Sequence, residues 1–230
     1  MTRILTNNSD NNKGKMEKRS FLFDLDGVIF DTESQYTVFW DRIGKEYLSE
    51  ESFGSRIKGL TLLEIFRRHF KDDPAATDSI RSRLDRFESE MDYAYIPGAD
   101  AFLDEIHRSG QPMAIFTNSN KVKMTNVYRA HPEILKMFTR IFTGEDFPRP
   151  KPAPDCYLAG MAFFGTAPED TFIFEDSFNG LMAARDSGGH VTALATTNPR
   201  EAVAPYAGLV IDDFKGFGLE KLYDAFYGRK

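Results

Sequence analysis

The chain has 230 residues, 41% of them apolar and 21 of them Phe, enough to bury the core of one large domain or of a domain with a smaller insertion. Lys and Arg number 29 against 35 Asp and Glu, a net charge of −6, and no long basic run or basic face offsets it, which argues against a nucleic-acid footprint. The single cysteine, Cys156, excludes an internal disulfide and a cysteine-based zinc site and suits a reducing, cytoplasmic setting.

Residues 1–16 are rich in Asn, Asp, Ser and Lys around a short Ile4-Leu5 pair, lack the apolar region of a signal peptide, and are expected to form a disordered tail. The first strand is expected over Arg19–Phe23, and it runs straight into Asp24-Leu25-Asp26-Gly27-Val28. After Asp31-Thr32 the period changes. Tyr36, Phe39, Trp40, Ile43 and Tyr47 recur at three- and four-residue spacing and make one amphipathic helical face. Helices are expected at Thr61–Phe70 and Pro74–Met91, with Pro74 in a plausible first position. No strand pattern appears between Thr32 and Tyr95, and the charges there are nearly balanced, so this block reads as an all-helical insertion rather than a polyanion-binding surface.

Ile96-Pro97-Gly98 punctuates a return to alternating strands and helices. Strands are expected at Pro112–Phe116, Arg140–Thr143, Thr171–Phe174, Val191–Leu194 and Leu209–Ile211. Helices are expected at Ala99–Ser109, Lys121–Ala130, Asp155–Phe164, Asn179–Ser187 and Leu219–Tyr227. This alternation predicts an α/β fold with a doubly wound, mainly parallel sheet. No apolar run approaches the ~18 residues of a membrane span, and no internal repeat is visible. His69, His107, His131 and His190 are scattered without ligand spacing and are expected at the surface or at helix ends.

In such a sheet ligands lie beyond the carboxyl ends of the strands, and each strong polar cluster directly follows a strand. Asp24 and Asp26 follow the first; with a period of two they project the same way if extended geometry persists. Two carboxylates that close repel unless a cation lies between them, so the pair reads either as a metal-assisted nucleophile with an acid/base partner or as a strand end with an ordinary Asp-Gly turn. Thr117-Asn118-Ser119 supplies hydroxyl and backbone donors, or caps a helix. Lys151 sits among alternating prolines that stiffen its loop, or is a solvated loop lysine. Glu175-Asp176 adds two carboxylates, or favours a helix N-terminus. Taken together, carboxylates that suit Mg²⁺ and a lysine and hydroxyl that suit an anion describe a phosphate site. The chemistry that fits is phosphoryl transfer. Asp24 would be the nucleophile, Asp26 the acid and base, Thr117 and Lys151 the phosphoryl holders, and Glu175 and Asp176 the anchors of the metal.

Asp24-Leu25-Asp26-Gly27-Val28, Thr117-Asn118, Lys151-Pro152-Ala153-Pro154-Asp155 and Glu175-Asp176-Ser177-Phe178-Asn179-Gly180, in that order and spacing, resemble the four motifs of the haloacid dehalogenase superfamily. The insertion after the first motif resembles the small cap of its β-phosphoglucomutase and phosphoglycolate phosphatase branch. The resemblance implies a Rossmann-like core over residues 17–33 and 97–230, a helical cap over 34–96, and an aspartyl-phosphate intermediate. It also implies a Mg²⁺ held among Asp24, Asp26, Glu175 and Asp176, and substrate contacts from Gly27, Asn118, Ser119 and the cap residue Lys58. Dehalogenases and phosphonate-cleaving members lack an acid at the position of Asp26, which argues against both. In the mutase, an arginine is expected where Leu62 stands and a histidine where Tyr36 stands, which favours hydrolysis over a sugar-phosphate mutase. The expected activity is therefore a Mg²⁺-dependent phosphatase acting on a small phosphorylated metabolite, as a monomer; a mutase and a non-catalytic binding protein are the alternatives.

Overall fold

The computed structural model describes residues 18–228, so the tail expected at 1–16 lies outside the described residues. β1 (Ser20–Phe23) opens the sheet. It is followed by α1 (Glu33–Ile43), which continues as a π-helical turn over Gly44–Leu48, then α2 (Phe53–Arg56), α3 (Leu62–His69) and α4 (Pro74–Glu90). The alternating part comprises α5 (Ala99–Arg108), β2 (Met113–Phe116), α6 (Lys121–Ala130), α7 (Ile134–Met137), β3 (Arg140–Phe142) and α8 (Asp155–Phe164). It ends with β4 (Thr171–Glu175), α9 (Phe178–Ser187), β5 (His190–Leu194), α10 (Arg200–Val203), β6 (Leu209–Ile211) and α11 (Leu219–Tyr227). The long expected elements stand within a residue or two of their predicted bounds. The short helices α2, α7 and α10 had no periodic signal to find.

The six strands form one sheet in the order β3-β2-β1-β4-β5-β6, and every pairing is parallel. Both faces are buried, as the period of two requires when helices cover both sides. Phe21, Phe23, Met113, Ile115, Phe172 and Phe174 point to the face under α5, α6 and α11. Leu22, Ala114, Phe116 and Ile173 point to the face under α8 and α9. Phe23, the last residue of β1, stacks on Phe174 of β4 at 4.5 Å with ring planes 7° apart. The chain winds from β1 outward through β2 and β3, then returns to place β4 on the other side of β1. The topological switch therefore lies between β1 and β4, where a doubly wound sheet opens its ligand crevice.

Between Thr32 and Tyr95 the described elements are all helical. They hold a hydrophobic cluster of their own, in which Phe39, Trp40, Ile43, Phe53, Ile65, Phe66, Phe70, Ile80 and Leu84 are buried together. The starts of α3 and α4 are fastened by local chemistry: Thr61 and Glu64 form a capping box, and Asp73 accepts from the Ala76 amide with Pro74 in the first turn. Among the described residues no helix is long and apolar enough to cross a membrane.

Candidate active site

β1 ends at Phe23, and the Asp24 amide still donates to the Phe174 carbonyl at 3.0 Å, so Asp24 leaves the sheet edge in a fixed place. The Lys151 ammonium reaches it from the proline-rich loop. It donates to Asp24 Oδ1 at 2.5 Å, to Glu175 Oε1 at 2.6 Å and to the Phe116 carbonyl at 2.8 Å. Lys151 is buried, so three acceptors around one ammonium account for all of its protons. Burial opposes its charge, but Asp24 and Glu175 outweigh that and hold its pKa above the ordinary lysine value.

Glu175 is fully buried, and both of its oxygens are engaged. Oε1 accepts from Lys151 and from the Tyr157 hydroxyl at 2.6 Å; Oε2 accepts from the Asp176 amide at 3.1 Å and the Ser177 hydroxyl at 3.3 Å. The carboxylate lies against the first turn of α9, where the helix dipole favours an anion. A Cβ on Gly180 would fall 1.9 Å from Oε1, so only glycine admits this approach. Asp176 is buried as well. It accepts from the Thr197 hydroxyl through Oδ2, and its backbone carbonyl accepts from Asn198 Nδ2 at 3.0 Å.

Oxygens of Asp24, Glu175 and Asp176 lie within 4.8 Å of one another. Burial, more than Lys151 can offset, pushes Asp24 up to about 7, with Glu175 and Asp26 adding to it. Burial, then Glu33, Asp24 and Glu175, push Asp176 well above the carboxylate range in the same direction. Three oxygen donors this close, with one cation between them, carry an excess of negative charge. A hard divalent cation such as Mg²⁺ would neutralise it, so the donor set fits that ion.

Asp26 departs from expectation as a metal ligand. β1 ends three residues earlier, at Phe23, and the carboxylate of Asp26 is not in the close group formed by Asp24, Glu175 and Asp176. Its carboxylate is spent elsewhere. Lys123 Nζ donates to Oδ1 at 2.5 Å, the Thr32 hydroxyl donates to the same oxygen, and the Ser119 hydroxyl donates to Oδ2 at 2.9 Å. Burial would raise its pKa, but Lys123 and then the two hydroxyls hold it below the ordinary value. Gly27 also departs from its expected substrate contact. It is buried behind Asp176, where a Cβ would lie 2.1 Å from Oδ2, and its carbonyl accepts from the Thr196 hydroxyl at 2.6 Å.

The remaining expected residues meet in one cavity of about 220 Å³ at the switch point, whose walls include Asp24, Asp26, Lys151 and Asp176 as well as Thr117, Asn118 and Ser119. Its other side is formed by the helical segment, including Tyr36, Trp40, Lys58 and Thr61. Thr117, Asn118 and Ser119 face the cavity and none of them caps α6, whose cap is the next residue, Asn120; Ser177 caps α9, and both caps line the same cavity. Leu62 and Tyr36 line it too, and the Tyr36 hydroxyl donates to Glu88 at 2.8 Å. Glu33, also on the wall, is pushed up to about 7 by burial and then by Asp26.

Sequence reasoning missed Lys123, Thr32, Tyr157 and Thr197. Thr196-Thr197-Asn198 follows β5 after one residue, Ala195, so the rule that polar clusters follow strands already contained it. Lys123 shares the buried face of α6 with Met124 and Val127, and that spacing was its signal.

Residues 21–194 match the family model described as haloacid dehalogenase-like hydrolase. A Drosophila melanogaster protein described as "Probable pseudouridine-5'-phosphatase" is 28% identical over 221 residues, covering 88% of this chain and 95% of that one. Hexitol phosphatase A of Escherichia coli (strain K12) is 31% identical over 187 residues, covering 78% and 84%. The crystal structure of CbbY from Rhodobacter sphaeroides in complex with phosphate superposes with a TM-score of 0.73 at 25% identity, covering 89% of this chain and 99% of that one. With its parallel sheet, its acidic trio at the switch point and a family match spanning most of its length, the chain belongs to the haloacid dehalogenase-like hydrolase family.

Proposed function

We propose that this haloacid dehalogenase-like phosphatase hydrolyses a small phosphomonoester, a sugar phosphate or a similar metabolite, through phosphorylation of Asp24 and with Mg²⁺ as its metal. The observation that carries this reading is the single cavity in which Asp24, Asp26, Thr117, Lys151 and Asp176 meet. Its volume of about 220 Å³ suits a small ester. Two phosphatases among the relatives and a phosphate complex of a solved relative support the same class.

Among the described residues no donor reaches the second oxygen of Asp24 or of Asp176, and these two would hold the ion directly; Glu175, its oxygens engaged, would act beside them by fixing Lys151. Mg²⁺ there supplies positive charge that screens a phosphate dianion from the carboxylates. Lys151 lends its charge to the same phosphoryl oxygens, and the Thr117 hydroxyl donates to them. Asp24 attacks phosphorus as the ester P–O bond breaks, and Asp26 gives its proton to the departing oxygen. Asp26 then takes a proton from the water that attacks phosphorus, the Asp24–P bond breaks, and phosphate leaves. The free site holds Asp26 ionised, ready for the second half; for the first half a proton is loaded on it from solvent through the cavity mouth. Residues 34–96 act as the cap, with Lys58 facing the leaving group.

A mutase must hold a second phosphate. The two positions at which the resemblance expects an arginine and a histidine are Leu62 and Tyr36, and neither carries a cation. The test is phosphate release from a panel of sugar phosphates, phosphoglycolate and an aryl phosphate, with Mg²⁺ or with a chelator. Mg²⁺-dependent release is expected. Conversion of glucose 1-phosphate to its 6-isomer without phosphate release would overturn the reading in favour of the mutase.

A further inference from the structure

The reaction outlined above leaves one buried cation without a task. Lys123 lies in the first turn of α6, on the face that buries Met124 and Val127, and it is 2% exposed. An ammonium so enclosed is tolerated only when it is paired. Its partner is Asp26, at 2.5 Å, and it also sits 4.5 Å from the centre of the Tyr36 ring. The Tyr36 hydroxyl donates to Glu88 Oε1 at 2.8 Å, and Glu88 is itself buried on α4. A continuous line of contacts thus runs from Asp26 through Lys123 and Tyr36 to Glu88. It starts at the end of β1 and finishes on two helices that wall the cavity from the other side.

Asp26 has three donors on two oxygens, from three elements: Thr32 at the entry to α1, Ser119 after β2, and Lys123 on α6. Only one of them is charged, and a charge-assisted bond is about twice as strong as a neutral one. Among the described residues Lys151, the other buried lysine, makes its ion pairs with Asp24 and Glu175 and none with Asp26. The two carboxylates of the first motif therefore have one lysine each.

We propose that Lys123 is the positioning residue of the Asp26 carboxylate, and that Tyr36 and Glu88 tie its placement to the helical segment. The assignment rests on the phosphatase reading and deepens it, because it states what aims the acid and base. Lys123 acts through Asp26 and does not hold the phosphoryl group.

The test uses Lys123→Met, which keeps the length of the side chain and removes its charge, alongside Asp26→Asn and the double variant. The readout is kcat/KM, which covers the steps up to departure of the leaving group, on phenyl phosphate and on p-nitrophenyl phosphate. The first leaving group needs a proton; the second leaves readily without one. Lys123→Met is expected to lose about 10²-fold or more on phenyl phosphate and less than about 10-fold on p-nitrophenyl phosphate, the pattern of a lost proton transfer. Asp26→Asn should give the same pattern, and the double variant should be no worse than Asp26→Asn alone. Lys123→Arg, which keeps the charge, should recover part of the loss on phenyl phosphate.

Equal losses on the two esters, or losses that multiply in the double variant, would overturn the assignment. If Lys123→Met does not unfold cooperatively, the comparison passes to Lys123→Arg and to the double variant, which removes both partners together. A wild-type protein inactive on both esters would overturn the phosphatase reading and this assignment with it, and that failure is distinguishable because it needs no substitution.

Discussion

Replacing Lys151 with methionine removes one ammonium and leaves three acceptors behind. Asp24, Glu175 and the Phe116 carbonyl all lose a donor within 2.8 Å, in a place where the lysine side chain is 4% exposed and that of Glu175 is 0% exposed. Removing one partner of a buried ion pair costs about 3–5 kcal/mol, because the other charge stays buried and unpaired. Asp24, at 14% exposure, can protonate or hydrate and soften the loss; Glu175 cannot hydrate. At about 2–4 °C per kcal/mol for a chain of this size, Tm should fall by about 6–20 °C. The pH dependence has a definite sign. Lys151 has a raised folded pKa, so its stabilisation is full below the ordinary lysine value and fades only above it, outside the range tested. In the variant Asp24 keeps its burial without its cation, so its folded pKa rises further. A raised carboxylate pKa contributes stability that is present at low pH and is lost as pH rises through the folded value. The loss should therefore be larger at pH 8 than at pH 5.5. Urea unfolding followed by circular dichroism at both pH values, in chelator, reads it. A loss under about 1 kcal/mol, or one equal at the two pH values, would refute the role given to Lys151.

Three further outcomes follow from the same geometry. Asp24, at about 7, and Asp176, raised in the same direction, bind protons more tightly folded than unfolded, so Mg²⁺ competes with those protons. At a fixed concentration, about 100 times its Kd at pH 8, the ion should stabilise by about 2.7 kcal/mol there; thermal melts should show a smaller rise at pH 5.5, and none in Asp176→Asn. Gly180→Ala drives a Cβ into the Glu175 carboxylate and should lower Tm by several degrees and kcat by about tenfold or more, read by melts and turnover on p-nitrophenyl phosphate; a wild-type melt would refute the packing. Asn179 Nδ2 donates to the Gly59 carbonyl at 2.7 Å and links α9 to the Lys58 loop, so Asn179→Ala should raise KM by about 3- to 10-fold with little change in kcat, measured on the best sugar phosphate of the panel.

The strands were legible because runs such as Phe21-Leu22-Phe23 and Phe172-Ile173-Phe174 are apolar throughout and end in polar residues. Their order in the sheet was not legible, since a parallel pairing leaves no local mark. α4 announced itself through Pro74, whereas the π-turn after α1 and the four residues of α2 are too short to show a period. Within the site, Asp24, Lys151, Glu175 and Asp176 were readable from their place after strands. The grouping of Asp26 with Asp24 rested on a period of two carried past the end of β1, and its partners Lys123, Thr32 and Ser119 come from other elements that leave no mark beside it in the sequence. Gly27 and Gly180 were read as turn and motif positions; the reason for both is a carboxylate packed against the backbone, which only the assembled fold creates. Lys121-Val122-Lys123 has the composition of a solvated helix face, and only the spacing of Lys123 with Met124 and Val127 sets it on the buried one.

The measurement that bears most directly on the account is covalent trapping at Asp24. The wild-type protein with Mg²⁺ is acid-quenched during turnover of p-nitrophenyl phosphate, and its peptides are weighed. The account predicts one phosphoryl group on the peptide carrying Asp24, removed by hydroxylamine, with turnover lowered by more than about 10³-fold in Asp24→Asn. Steady phosphate release with Asp24 unmodified, or an Asp24→Asn variant that turns over like the wild type, would contradict it.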